Sequence, residues 1–130
     1  MNKRNSWERF EAVGVALVVL HSLVLGVMLI FLPGWTLEFA GFDGPDDYFF
    51  PRQSGAFHIV VALGYALEYR RSRGITLILL AKFTAVVFLL LLSPWDKAWS
   101  VPFSGIADGL MLVGMTLLHG QASRRRMEKL

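Results

Sequence analysis

The chain has 130 residues, no cysteine, a net charge of +3 and a composition that is 55% hydrophobic, with positive mean hydropathy. That is too apolar for an ordinary soluble domain of this size and points to a membrane protein forming one compact bundle. The absence of thiols excludes a disulfide scaffold, a thiolate metal site and a cysteine nucleophile. The basic residues sit beside apolar runs rather than on one folded face, which speaks for topology and lipid head-group contact and against nucleic-acid binding.

A bilayer core about 30 Å thick needs about 20 mostly apolar helical residues to cross it. Four stretches meet that need, over residues 12–32, 52–69, 75–93 and 103–119, and they leave no room for a soluble domain. The expected fold is therefore all-α: a single integral membrane domain over residues 1–130, built as a four-helix transmembrane bundle.

Lys3, Arg4 and Arg9 precede the first span. Its apolar part, about 20 residues, exceeds the ~7–15 of a signal-peptide core, and Phe31-Leu32-Pro33-Gly34-Trp35 lacks a small-x-small cleavage site, so it is expected to be retained. The following connection opens PGWTLEFAGF, in which Trp35, Leu37, Phe39 and Phe42 suit a short interfacial helix of one or two turns. Asp43-Gly44-Pro45-Asp46 then reads as a turn. This connection carries Glu38, Asp43, Asp46 and Asp47 with no Lys or Arg. The second and third spans are joined by Arg70-Arg71-Ser72-Arg73-Gly74, short enough to make them antiparallel neighbours and the core hairpin. Lys97 faces Asp96 in the next connection, and Arg124, Arg125, Arg126 and Lys129 follow the fourth span. The positive-inside rule then puts both termini and the Arg70 turn in the cytoplasm and the two longer connections outside. Trp35, Phe39, Tyr48, Phe49, Phe50, Trp95, Trp99 and Phe103 gather at the outer boundary, either as an aromatic belt or as a lid over an outward pocket.

The polar residues within the spans carry the functional reading. Lys82 lies inside LILLAKFTAVVFLLLL, where a central lysine costs about 2.5–3.5 kcal/mol unless it finds a partner or faces the interior. Asp108 is the expected partner. It lies about 8–9 Å below the outer end of its helix against about 16 Å for Lys82, a gap that a lysine stem can nearly close. The second span adds Arg52 and Gln53 at its outer end, Ser54 and His58 on one face, and Tyr65 and Tyr69 further in. By depth, Arg52, His58, Lys82 and Asp108 converge in the outer half of the bundle. Gly105 and Gly109 form a GxxxG around Asp108 that suits close contact with another helix. His21 reads as a satisfied buried histidine, His119 as an interfacial one and Glu68 as a boundary charge. Haem is not expected, since His21 and His58 differ in depth by about 7 Å. No HxxxH or ExxH spacing supports a metal.

Two functions of different class fit. The first is an outward pocket that binds a small anionic or polar ligand, an organic acid, a quinone or a lipid head group, through Arg52, Gln53, Ser54, His58, Lys82 and Asp108. Three cationic or potentially cationic groups beside one carboxylate favour an anion there. The second is a structural accessory subunit of a larger membrane complex, packed through Gly105 and Gly109, with Lys82 and Asp108 as a helix-registering pair. A homodimeric proton-coupled carrier is a third, although few ionisable groups are visible in the inner half of the spans. No nucleophile turn or oxyanion arrangement can be read, and whether the protein is an enzyme stays open.

The four-span layout, the outer connection after the first span and the Arg52-x-x-Gly55 opening of the second resemble the small DoxX-like membrane proteins. RQSGAFHIVVALGYALEY, AKFTAVVF and SGIADGLM are similar to its short BphX-like members, associated with aromatic-degradation operons. The resemblance covers most of the chain. It implies a bacterial inner-membrane location and an accessory role near a redox system, in some members quinone-connected, and it assigns no functional residue.

Overall fold

The computed structural model describes residues 6–128, so Lys3, Arg4 and Lys129 of the basic clusters lie outside the described residues. Five α-helices follow one another: α1 (Ser6–Phe31), α2 (Pro33–Phe39), α3 (Phe49–Ser72), α4 (Thr76–Val86) and α5 (Ser100–Met127). A π-helical stretch, Val87–Leu92, continues α4. No strand is present among the described residues. The fold is all-α, and two helices, α1 and α5, are long and apolar enough to cross a membrane.

Pro33 separates α1 from α2, because a proline disfavours helical geometry in the residue before it; Leu32 accordingly leaves the helix at φ −129° and ψ 48°. The hydroxyl of the buried Thr36 donates to the Leu32 carbonyl at 2.7 Å and lies 3.2 Å from that of Met28, so the break leaves the carbonyls occupied. The short helix α2 has the length expected of the PGWTLEFAGF segment. It is tied to the start of α5 by an aromatic series: Trp35 stacks on Phe39, Phe39 meets Trp99 edge-on, and Trp99 meets Phe103. The Trp99 indole N–H donates to the Phe39 carbonyl at 3.0 Å. Gly41, at φ 87°, lies under this ring, and a Cβ there would come within 2.6 Å of Trp99 Cδ1. The turn expected at Asp43–Asp46 does not form a hydrogen-bonded turn. The chain has only a bend at Asp46, and Asp47 Oδ1 accepts the Phe49 N–H at 2.8 Å to start α3.

Four long elements form a ring in the order α1, α3, α4, α5, with α1 against both α3 and α5. The most extensive pairing is α1 with α3, and the least is α3 with α4, so the α3–α4 hairpin is not the core expected from its short turn. Glycine explains the reversal. A Cβ on Gly26 would come within 2.8 Å of the Gly55 carbonyl oxygen, and one on Gly55 within 2.7 Å of the Gly26 carbonyl oxygen, so α1 and α3 cross almost backbone on backbone. Gly105 serves the end of α4 in the same way: a Cβ there would meet Leu90 Cδ2 at 2.5 Å. Gly109 leaves Val86 at ordinary contact distance, 3.8 Å. The face that Gly105 opens is thus filled from within the chain, by Leu89 and Leu90.

Two ends of the bundle can now be distinguished. The basal end carries Ser6, the Arg73–Ile75 connection between α3 and α4, and Met127; the apical end carries α2. The core near the basal end consists of Val15, Val18, Tyr65, Tyr69, Ile75, Ile78 and Met115. At the turn, Glu68 is more than a boundary charge, since its carboxylate accepts the Thr76 and Leu77 N–H groups, both at 2.9 Å, and caps α4. Two otherwise unpaired helix-end donors are satisfied next to the positive end of the helix dipole. Glu68→Ala is expected to lower the thermal unfolding midpoint, at a cost of about 1 kcal/mol, while Glu38→Ala, on the exposed face of α2, should leave it unchanged.

Candidate functional site

The four ring helices each send a polar side chain to one cavity of about 340 Å³. Helix α1 contributes Ser22, α3 contributes Gln53, Ser54, His58 and Tyr65, α4 contributes Lys82, and α5 contributes Asp108. Lys82 Nζ donates to Asp108 Oδ1 at 2.6 Å, and the two residues are 5% and 8% exposed. One carboxylate oxygen therefore occupies one of three ammonium N–H groups, leaving two for something else. The Ser22 and Tyr65 hydroxyls and the His58 ring also line the cavity, and none of them is hydrogen-bonded to another group among the described residues. Ser22 and Tyr65 are nevertheless almost wholly buried. Their hydroxyls are not sealed off but reach the cavity, since among the described residues the buried side-chain polar atom left without a partner is Arg126 Nε. The cavity is therefore lined with groups ready to hydrogen-bond a guest.

Arg52 is not among them. It is exposed and lines a separate groove with Asp47, Tyr48 and Phe49, which Gln53 also borders. The reason is rotation about the helix axis: Gln53, Ser54 and Val61 lie to one side of His58 around α3, and Arg52 lies about 120° to the other side. The fixed charges in the cavity are then Lys82 and Asp108, which cancel, and the surplus positive charge expected there is absent. His21 also departs from expectation. It is exposed on the outer face of α1, in an apolar groove beside Leu17, Leu20 and Val24, and is not a satisfied buried residue.

A second polar centre lies at the basal end, around a residue that sequence reading passed over. Glu11 is 1% exposed. Its Oε1 is 2.6 Å from His119 Nδ1; its Oε2 accepts from Arg126 Nη2 at 2.6 Å and from the Tyr69 hydroxyl at 3.2 Å. The Arg73 guanidinium lies over the Tyr69 ring, 5.1 Å from its centre. His119 is thus a carboxylate partner rather than a free interfacial group, and the space left among these side chains is small, about 60 Å³. Glu11 was legible in one respect. It begins the series Glu11, Val15, Val18, Ser22, Gly26, Leu29, spaced three and four apart, which is the buried stripe of α1.

Among known proteins, no family model matches the chain, and neither a curated protein nor a solved structure shows significant similarity to it. The likeness to DoxX-like and BphX-like proteins therefore rests on sequence pattern alone.

Removing one member of a buried ion pair leaves the other uncompensated, at a cost of about 3–5 kcal/mol, whereas removing both is far milder. Lys82→Met and Asp108→Leu should each lower the unfolding midpoint more than the double variant does, a comparison read by a double-mutant cycle. At the basal end, Arg126→Ala should destabilise far more than Arg125→Ala. Arg126 holds a buried carboxylate, while Arg125 forms an exposed pair with Glu128 at 2.8 Å of the kind worth less than about 1 kcal/mol.

Proposed function

We propose that the chain is an integral membrane protein whose four long elements all cross the bilayer, and that it binds a small polar molecule in the cavity around Lys82. The membrane reading is supported by the large apolar side chains that the bundle turns outward and by the small and polar residues admitted to its otherwise apolar interior. Interior positions hold Glu11, Ser22, Gly26, Gly55, Lys82, Gly105 and Asp108, while Leu17, Leu20, Leu63, Leu67, Phe83, Leu110 and Leu117 face outward. Small and polar residues inside with large apolar ones outside suit a hydrocarbon solvent. The element Thr76–Leu92 is at the lower limit of length for a span, about 17 residues. Arg70, Arg71, Arg124, Arg125 and Arg126 gathered at the basal end support a cytoplasmic orientation for that end. A bacterial inner membrane and an accessory role in redox or aromatic catabolism follow from the DoxX-like resemblance.

Ligand binding is carried by one observation: the Lys82–Asp108 pair borders a cavity instead of packed side chains. In this reading Lys82 offers its remaining N–H groups, Asp108 holds the ammonium in place, and His58 with Ser54 and Gln53 completes the polar lining. A structural reading is favoured by the Glu11 centre, which ties three helices with little space for a guest; Lys82 and Asp108 would then register α4 against α5 in the same manner. Native mass spectrometry of protein released from nanodiscs separates the two, with wild type compared with Lys82→Met. A small-molecule adduct is expected on wild type alone. Bare protein in both samples, or a second protein in both, would establish the structural reading instead.

A further inference from the structure

The cavity is open along one side of the bundle, at the seam where α3 and α4 touch least. Near the turn that joins them the two helices meet, with Leu77 Cδ1 3.4 Å from where a Gly64 Cβ would stand. Further toward the apical end α4 presents only Ala81 and Ala85 beside Lys82, and these short side chains do not close the gap. Across it stand Phe57 and Val61 of α3, which line the cavity and are also exposed, Phe57 at 62%. Val61 is 12 residues from the start of α3, about 18 Å along the axis, near the middle of the bundle. The cavity also reaches Ser54, Gln53 and Phe50 at the apical start of α3, and the part of its mouth at the level of Val61 faces sideways. In a chain that spans the bilayer, it faces lipid.

The floor of the cavity has a different character from its mouth. Lys82 and Asp108 neutralise each other, Arg52 is turned away, and the buried residues Ser22 and Tyr65 line the cavity with hydroxyls that no other described residue engages. An anion placed there would lose its hydration and face the Asp108 carboxylate with no net positive charge to offset either cost. A neutral head group bearing a carbonyl or hydroxyl oxygen meets donors from Lys82, Ser22 and Tyr65 without that penalty.

We propose that the cavity takes a neutral amphiphile from within the bilayer, its oxygen-bearing head at Lys82, Ser22 and Tyr65 and its apolar body passing out between Phe57 and Ala85. This rests on the membrane-spanning reading above and narrows its ligand from polar or anionic to neutral and lipid-borne.

The absence of cysteine allows single labelling sites. Spin labels at Phe57→Cys, and at Leu17→Cys and Leu110→Cys on the outer faces of α1 and α5, are compared in vesicles for relaxation by oxygen, which partitions into lipid, and by a water-soluble nickel chelate. Lipid-type relaxation is expected at all three. Water-type relaxation at Leu17→Cys and Leu110→Cys would overturn the membrane reading and the proposal with it; water-type relaxation at Phe57→Cys alone would overturn only the lateral mouth. Nanodiscs carrying the protein are then loaded with decanamide, decanoate or butanamide. Decanamide should be retained about tenfold more than either, because a longer chain concentrates in the bilayer and an amide brings no charge. Lys82→Met should reduce the retention to that of protein-free nanodiscs, and Ser22→Ala, which leaves the ion pair intact, should weaken the protein-dependent excess severalfold. Equal retention of butanamide, stronger retention of decanoate, or no change in Ser22→Ala would overturn the proposal.

Discussion

A carboxylate leaves water only when donors are waiting for it, and in this bundle two carboxylates, Glu11 and Asp108, sit where water does not reach freely. Their partners define the arrangement of the helices. Glu11 of α1 draws in Tyr69 of α3 and both His119 and Arg126 of α5, fixing three helices at the basal end. Asp108 of α5 draws in Lys82 of α4, which is the only long element the Glu11 centre does not hold. Between them the two centres reach every member of the ring. The apolar contacts in between are less selective, because leucine on leucine is satisfied by many rotations of a helix, whereas an ammonium and a carboxylate 2.6 Å apart are not.

The same distribution explains where the bundle is tight and where it is open. Gly26 and Gly55 let α1 and α3 meet closely, and Gly105 makes room for Leu89 and Leu90 at the end of α4. No comparable fit closes the α3–α4 seam above Gly64, so the polar groups that converge there border a space. The π-helical stretch at the end of α4 belongs to the same compromise. The stretch packs against α5, and the Ser93 hydroxyl and Trp95 indole N–H occupy the Phe88 and Leu90 carbonyls that a helix end leaves over.

Much of the fold can be read from the chain because long apolar runs punctuated by Pro33, by the Arg70–Gly74 turn and by Pro94 leave few choices for the helices. Which face of each helix turns inward is harder. Where nearly every residue is apolar, hydrophobic periodicity carries almost no signal, and the inward face is marked by the exceptions: Glu11, Ser22 and Gly26 on α1, Gly55 and Tyr65 on α3. Depth along the helices was enough to match Lys82 with Asp108. It was not enough for Arg52, whose height suits the cavity but whose angle around α3 does not, nor for Glu11, which lies just before the apolar run and looks like a boundary charge. The α1–α3 pairing was illegible for another reason: a short connection marks sequence neighbours, while close packing is decided by glycines that lie far apart in the chain.

The Glu11 centre also bears on how the molecule is made. Glu11 belongs to α1, which is synthesised before the other helices of this bundle, yet its Arg126 and His119 partners lie 115 and 108 residues further on. Until α5 has been synthesised, the partner that Glu11 has among the described residues of α1 to α4 is the Tyr69 hydroxyl. Helix α5 therefore closes the bundle by charge as well as by shape. A chain interrupted after α4 would carry an exposed acid on α1 and an unmatched ammonium on Lys82, two marks by which an incomplete product differs chemically from a finished one.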